Sequence, residues 1–258
     1  MNHPKITILG CGPAGLLVAL AADQKGIDAR IISQGSPSPI GGAQYLHEHV
    51  PGLTAEEPDW LTYVKVGDEK GYAQKAYGEP EAQVSWDTFV TGDYPAWSLK
   101  KAYQKLWRRF GERVEQREVG AYDIAGLCRE ADLVFSTVPL PALCHEKHAH
   151  SFEGQDVIFT EEQYVRVPNL IVYNGRLTDS WYRAACLFGY CSTEYALGNG
   201  IDLPRLDDLK TYRGVKPVKT DCDCHMDFPN FIRVGRFGRW RRGVLTNHAY
   251  DAAKERIW

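Results

Sequence analysis

Six residues near the start of the chain, Gly10-Cys11-Gly12-Pro13-Ala14-Gly15, have the types and spacing of a phosphate-binding turn. Gly10 permits a tight reversal, Gly12 leaves room for a pyrophosphate to approach the backbone, and Gly15 lets the following helix pack closely on its strand. Unpaired N–H groups at the start of that helix then face the anion. Two clusters of soft ligands follow much later: Cys144-His145 with His148 and His150, and Cys222 with Cys224 and His225. Zinc takes four such donors in a tetrahedron. Cys144, His150, Cys222 and Cys224 are the set expected to make one structural site, since the first loop follows a sheet strand and the second precedes the last strand. Five arginines fall between residues 233 and 242: Arg233, Arg236, Arg239, Arg241 and Arg242. Guanidinium suits phosphate through paired contacts. A nucleic acid, a nucleotide-linked substrate or a dinucleotide pyrophosphate would each satisfy the run.

Further groups extend this inventory. Dinucleotide folds place an acidic residue about 20 residues past the turn to hold the ribose. Ser33 stands there, with Gln34 beside it. Both can bond a hydroxyl, and without the charge a 2′-phosphate would meet no repulsion. Arg30 is expected to point elsewhere. His47 and His49 are candidates for proton transfer, because imidazole titrates near neutrality. Trp181-Tyr182-Arg183 could stack and pair charge around a ligand, or the Trp could pack in the core. Cys11 is expected to pack, since no second cysteine accompanies it.

Lys5 to Leu9 is a buried strand and Leu16 to Lys25 an apolar helix closed by Gly26. Ile27 to Ser33 is a second strand, so the glycine turn lies inside a β–turn–α–β unit. Tyr45 to Gly92 reads as irregular and acidic. Ser98 to Phe110 is an amphipathic helix with Ser98 as its cap and Gly111 just past its end. Asp132 to Pro139, Val165 to Tyr173 and Tyr182 to Ser192 read as strands, Ile201 to Lys219 as a loop. Asn230 to Val234 is a last strand and Gly243 to Ile257 a last helix.

Composition bounds the function classes. With 258 residues, 44% hydrophobic and 24% charged, the chain can bury a core and is neither disordered nor collagen-like. A net charge of −3 argues against a general affinity for nucleic acid. The longest apolar run, Leu16 to Ala22, is far short of the roughly 20 residues that span a bilayer. A cytoplasmic location is expected, and seven cysteines there point to free thiols or metal ligands over a disulfide framework.

Ile8 to Leu17, then Ile32-Ser33-Gln34 and Ile40-Gly41-Gly42, resembles the extended FAD fingerprint of the glutathione-reductase-like flavoproteins, most closely the branch with UDP-galactopyranose mutase and the amine oxidases. Ala131-Asp132-Leu133-Val134-Phe135-Ser136-Thr137-Val138-Pro139 is similar to that branch's strand against the cofactor. Phe231 to Trp240 resembles the mutases' closing motif near the flavin, whose arginine contacts substrate phosphate. The three motifs cover about a third of a chain that also resembles short phage-encoded FAD/NAD(P)-binding oxidoreductases. The resemblance implies an α/β protein with a Rossmann-like FAD-binding fold, a parallel sheet flanked by helices, and a small inserted substrate domain. It implies FAD held by Gly10, Gly12, Pro13, Ala14, Gly15, Ser33, Gln34, Gly41, Gly42, Thr137, Gly235 and Arg236, with His47 and Arg236 as catalytic residues. Residues 1–44, 111–150 and 230–258 would form the FAD domain, and 45–110 and 151–229 the substrate region. The expected activity is an FAD-dependent oxidoreductase on a small or nucleotide-linked substrate. A non-redox mutase-like enzyme and a non-catalytic nucleotide- or nucleic-acid-binding flavoprotein remain alternatives, as does NAD(P) in place of FAD.

Overall fold

The computed structural model describes residues 3–35, 40, 44–82, 84, 86, 93–146, 148–161, 164–200, 203 and 210–257. In chain order the elements are β1 (Ile6–Leu9), α1 (Pro13–Asp23), β2 (Arg30–Ser33), β3 (Tyr45–Leu46), β4 (Asp59–Val66), α2 (Glu69–Tyr77), β5 (Asp93–Ser98), α3 (Leu99–Phe110), β6 (Val114–Gln116), α4 (Ile124–Glu130) and β7 (Leu133–Ser136). There follow α5 (Leu140–Leu143), β8 (Phe152–Thr160), β9 (Leu170–Asn174), β10 (Arg183–Leu187), β11 (Tyr190–Ala196), β12 (Thr211–Thr220), β13 (Phe231–Arg233), α6 (Gly235–Arg239) and α7 (His248–Arg256).

Five short strands form a parallel sheet in the order β13-β7-β1-β2-β6. Its central strand, Ile-Thr-Ile-Leu, is buried along its whole length, as a strand covered on both faces must be. One face is covered by α1, α3 and α7, which share an apolar core with Ile6, Ile8, Ile31 and Phe135. Helix α4 covers the other through Ile124 and Leu127 against Leu9, Ile32 and Val134. In α3 the buried residues Leu99, Ala102, Tyr103, Leu106 and Phe110 recur at helical spacing, and the Ser98 hydroxyl accepts from the Lys101 N–H. The α/β fold expected from the sequence is therefore present.

The remaining strands form a second, mixed sheet in the order β12-β8-β11-β10-β9-β4-β5-β3. Its neighbours are antiparallel except β4 and β9, which run parallel. Helix α2 packs against it. There the buried Lys75 gives its ammonium to the carbonyls of Arg176 and Trp181 at 2.8 and 2.7 Å, and to that of Asp179 at 3.3 Å.

Several sequence expectations need correction. Tyr45 to Gly92 is not irregular: it holds β4, whose Leu61 and Tyr63 are buried against β9, and α2, capped by Asp68. Residues 201–219 are not all loop, because β12 lies along β8 as an edge strand. Its Arg213, Lys216 and Lys219, with Pro217 at an irregularity, mask the alternation that marks a strand. The last helix starts at His248, five residues later than Gly243. Helix α1 ends at Asp23, and Gly26 at φ +72° completes the reversal. Cys186 and Cys191, opposite one another in β10 and β11, form a disulfide, which removes one pair from the free thiols. Gly41 and Gly42 lie outside the described residues.

Candidate active site

The glycine turn joins β1 to α1, and each glycine meets a distinct demand. Gly10 sits at φ +96°, and a Cβ there would lie 2.4 Å from Thr137 Oγ1. A Cβ at Gly15 would lie 2.0 Å from the Gly10 carbonyl, so the helix can rest on the turn only without one. A Cβ at Gly12, by contrast, would meet no atom within 4 Å. Gly12 caps α1 with extended backbone, and Pro13 occupies the first turn where its missing N–H costs nothing. Open space at Gly12, beside the positive end of an eleven-residue helix, is the cradle an anion requires.

Neighbouring segments fix this turn. Thr137 N–H and Oγ1–H both donate to the Leu9 carbonyl, at 2.8 and 3.0 Å. Thr137 therefore supports the turn from behind. The Tyr103 hydroxyl donates to the Cys11 carbonyl at 3.0 Å, and Cys11 packs as expected. Gly235, at φ +71°, crosses α1 so closely that a Cβ would lie 2.9 Å from that of Ala14. The crossing from β13 into α6 thus delivers Arg236 beside the helix start. Ser33 ends β2 and Gln34 follows it, and Arg30 turns away to Glu115 at 2.7 Å.

Arg236 faces a row of ionisable groups on the mixed sheet. Glu194, Arg183 and Tyr173 lie in direct register across β11, β10 and β9, so their side chains share one face. Glu194 is buried, and Arg183 Nη1 meets its Oε1 at 2.5 Å. The ammonium of Lys216 pairs with Glu194 Oε2, which also accepts from the Tyr182 hydroxyl at 2.8 Å. Lys216 donates to Tyr182 as well, at 2.6 Å. The Tyr63 ring stacks on Tyr173 at 5.9 Å, and its hydroxyl meets that of Tyr45. Tyr72 of α2 lies edge-on to Tyr173 at 5.4 Å.

Burial would raise the Glu194 carboxyl, but Arg183 and Lys216 overcome it and hold the group down to about 2. Burial lowers Arg236, and the Arg183 charge pushes the same way. His47 is lowered to about 4, first by burial and then by Arg183, His248 and Arg236. It is a neutral imidazole at pH 7. Two cations, Arg183 and Lys216, thus share the Glu194 carboxylate, and Arg236 stands near them. The guanidinium of Arg236 has no hydrogen-bond or ion-pair partner among the described residues.

The same sheet face continues into an open cleft of about 160 Å³. Leu187 lies two pleats along from Arg183, Ser192 one pleat from Glu194, and Phe159 pairs with Glu194 directly. Lys100 and Lys210 overlook this floor, and Ile40 and Gln44 border it on either side of the Gly41-Gly42 pair. His248 acts on His47, so the start of α7 reaches the same region. Beside it Asn247 is buried, and neither amide atom has a hydrogen-bond partner among the described residues.

Other candidate residues fall elsewhere. His49 is occupied locally, its Nδ1 2.8 Å from Thr54 Oγ1. Trp181 stacks on Tyr164 at 5.6 Å, while Tyr182 and Arg183 enter the ionic row. The arginine run is dispersed: Arg233 caps backbone carbonyls of the cysteine loop, Arg239 Nε donates to the Arg233 carbonyl at 3.1 Å, and Arg242 lies over Tyr77. Cys144, His150, Cys222 and Cys224 do converge, with their donor atoms all within 4.8 Å of one another. Glu194, Lys216 and the row's Tyr63, Tyr72 and Tyr173 were missed from the sequence, whereas Tyr182 and Arg183 were singled out there. A signal existed: Glu194 lies in the apolar strand Ser-Thr-Glu-Tyr-Ala, where a buried carboxylate requires a cation.

No family model matches the chain, and no curated protein matches it. Solved structures do. Reduced UDP-galactopyranose mutase is similar at 13% identity with a TM-score of 0.60, over 100% of this chain and 93% of that one. The 2,6-dihydroxypyridine-3-hydroxylase of Arthrobacter nicotinovorans is similar at 13% identity and a TM-score of 0.54, over 99% and 83%. The tetracycline destructase Tet(51) is similar at 10% identity and a TM-score of 0.50, over 99% and 82%. This chain, a parallel sheet flanked by helices with a mixed sheet beside it, matches the FAD-binding fold expected from the sequence.

Proposed function

We propose that this chain binds FAD across the glycine turn and uses it on a substrate carrying a phosphate or carboxylate, as a flavin-dependent oxidoreductase. One observation carries the reading. The open cradle at Gly12 lies beside the Gly235–Arg236 crossing, and Arg236 brings a guanidinium with no partner among the described residues toward a row that there holds more cations than acids. Gly12, Ala14 and Gly15 at the start of α1 would hold the pyrophosphate, with Ser33 and Gln34 toward the ribose. When bound, FAD supplies the electron chemistry, and the protein orients it.

The chain's own residues divide the remaining work. Arg236 and Arg183 neutralise the substrate's anionic group. The floor from Phe159 to Leu187 offers apolar contact and keeps water from the reacting end. His47 presents a neutral ring with a free electron pair as a proton acceptor. Alone it is a weak base, since its conjugate acid loses its proton near pH 4. A bound anion beside Arg183 and Arg236 screens the cations that lower it and so strengthens it.

The similarity to the mutase favours a second reading, an isomerisation with no net redox change, in which Arg236 again meets substrate phosphate. The two readings differ in whether an electron donor is consumed per turnover. Arg236→Ala tests the shared claim. Flavin content should be retained while affinity for nucleoside diphosphates or small carboxylates falls about tenfold to a hundredfold. Loss of flavin instead would assign Arg236 to the cofactor. Unchanged flavin and unchanged anion binding would refute both roles.

A further inference from the structure

We infer that Cys144, His150, Cys222 and Cys224 form a closed tetrahedral Zn(II) site that fixes the strand leading to Arg236. The inference stands apart from the flavin reading, because none of these residues lies in the glycine turn or the ionic row.

The donors arrive from two loops. Cys144 follows α5 and His150 precedes β8, while Cys222 and Cys224 lie between β12 and β13. Zinc–sulfur bonds of about 2.3 Å and zinc–nitrogen bonds of about 2.0 Å make a tetrahedron with edges of about 3.8 Å between sulfurs and about 3.6 Å from sulfur to nitrogen. The Cys144 and Cys224 sulfurs are 3.6 Å apart. His150 Nδ1 lies 3.3 Å from the Cys144 sulfur and 3.6 Å from that of Cys224. A disulfide would need about 2.05 Å between sulfurs, so these thiols sit at the spacing of shared coordination.

The surroundings supply what such a centre needs. His150 Nε2 lies 3.4 Å from Asp223 Oδ1, which favours the tautomer with the proton on Nε2 and leaves the Nδ1 electron pair facing the sulfurs. Arg233 donates to the carbonyls of Cys222, at 2.9 Å, and Cys224. Three thiolates and Zn(II) carry a net charge of −1, which that guanidinium offsets. Leu140, Phe152 and Trp240 form an apolar shell around the cysteines. The loops are also stitched together, with Ser151 N–H donating to Asp221 Oδ1 and Thr220 Oγ1–H to the Ser151 carbonyl, both at 2.7 Å.

Binding replaces up to three S–H bonds with S–Zn bonds and releases those protons to solvent. All four positions are filled by protein, which leaves none for water and makes the site structural. It joins the loops before β8 and β13. Three residues past the capping Arg233 comes Arg236, so the metal would hold the base of the active-site crossing.

The test uses the full chain prepared under reducing conditions with zinc supplied. Elemental analysis should find about one zinc per chain, and Co(II) exchanged into the protein should give the intense visible bands of a tetrahedral thiolate site. Cys222→Ser should drop the metal to roughly a tenth and lower the melting temperature, while Cys128→Ser, a buried cysteine outside the cluster, keeps it. If Cys222→Ser does not fold, the Co(II) spectrum of the unaltered protein decides alone. A folded wild-type chain that takes up neither zinc nor cobalt, or that shows a Cys144–Cys224 disulfide, overturns the inference.

Discussion

Glu194→Gln removes the only carboxylate among the described residues of a row that also holds Arg183, Lys216 and Arg236, and its cost follows from the buried pairs. The carboxyl is held at about 2 against an ordinary 4.5. A displacement of that size corresponds to about 3 kcal/mol of folding stability. Because the folded value is the lower one, that stability is present above pH 4.5 and is lost as the pH falls from 4.5 toward 2. Leaving buried cations unpaired costs about 3–5 kcal/mol by analogy with broken buried pairs. Glu194→Gln should therefore lose about 3–5 kcal/mol at pH 7 in urea unfolding followed by circular dichroism. It should also lose the acid sensitivity between pH 4.5 and 2. If the cost comes from uncompensated charge, adding Arg183→Met to Glu194→Gln should restore at least about 1 kcal/mol. A Glu194→Gln protein within about 1 kcal/mol of the original, with the same acid profile, would show that this pairing does not hold the sheet face together.

Other expectations follow from the same geometry. Gly12→Val should fold normally, since its side chain meets no protein atom nearby, yet fail to bind FAD; normal FAD binding in a folded variant would refute the cradle. Gly15→Ala should lose both FAD binding and stability, because its Cβ would lie 2.0 Å from the Gly10 carbonyl; an unchanged melting temperature contradicts the close approach. The His47 imidazole should titrate near pH 4 by NMR, and its burial should cost stability as the pH falls from 6.5 toward 4; titration near 6.5 would show it is solvated. Ser98→Ala should cost about 1 kcal/mol by removing the cap of α3, and no loss in urea titration would count against that cap.

The parts legible in the sequence were those set by local chemistry. Three glycines between an apolar strand and an apolar helix specify the turn because no other residue fits Gly10 or Gly15. The Ser98 cap and the apolar stripe of α3 are likewise local signals. Four soft donors among few histidines and cysteines could be grouped from the loops that carry them. The mixed sheet was harder to read. Strand β4 finds its parallel partner β9 about 110 residues away, and no local pattern announces such a pairing. Strand β12 lies at the sheet edge with a single fully buried residue, Pro217, so it lacks apolar alternation. The ionic row depends on register: Arg183, Glu194 and Tyr173 become neighbours only when three strands align, and Lys216 reaches them from the edge strand.

If the glycine turn and the Arg236 crossing form an FAD site, the chain takes up FAD in solution. Titration of the purified, cofactor-stripped chain with FAD, followed by flavin fluorescence and isothermal calorimetry, tests it most directly. Saturable binding of about one FAD per chain is expected, lost in Gly12→Val, with riboflavin binding far more weakly because it lacks the pyrophosphate. A folded chain that binds no FAD at micromolar concentrations, or binds riboflavin equally well, would contradict it.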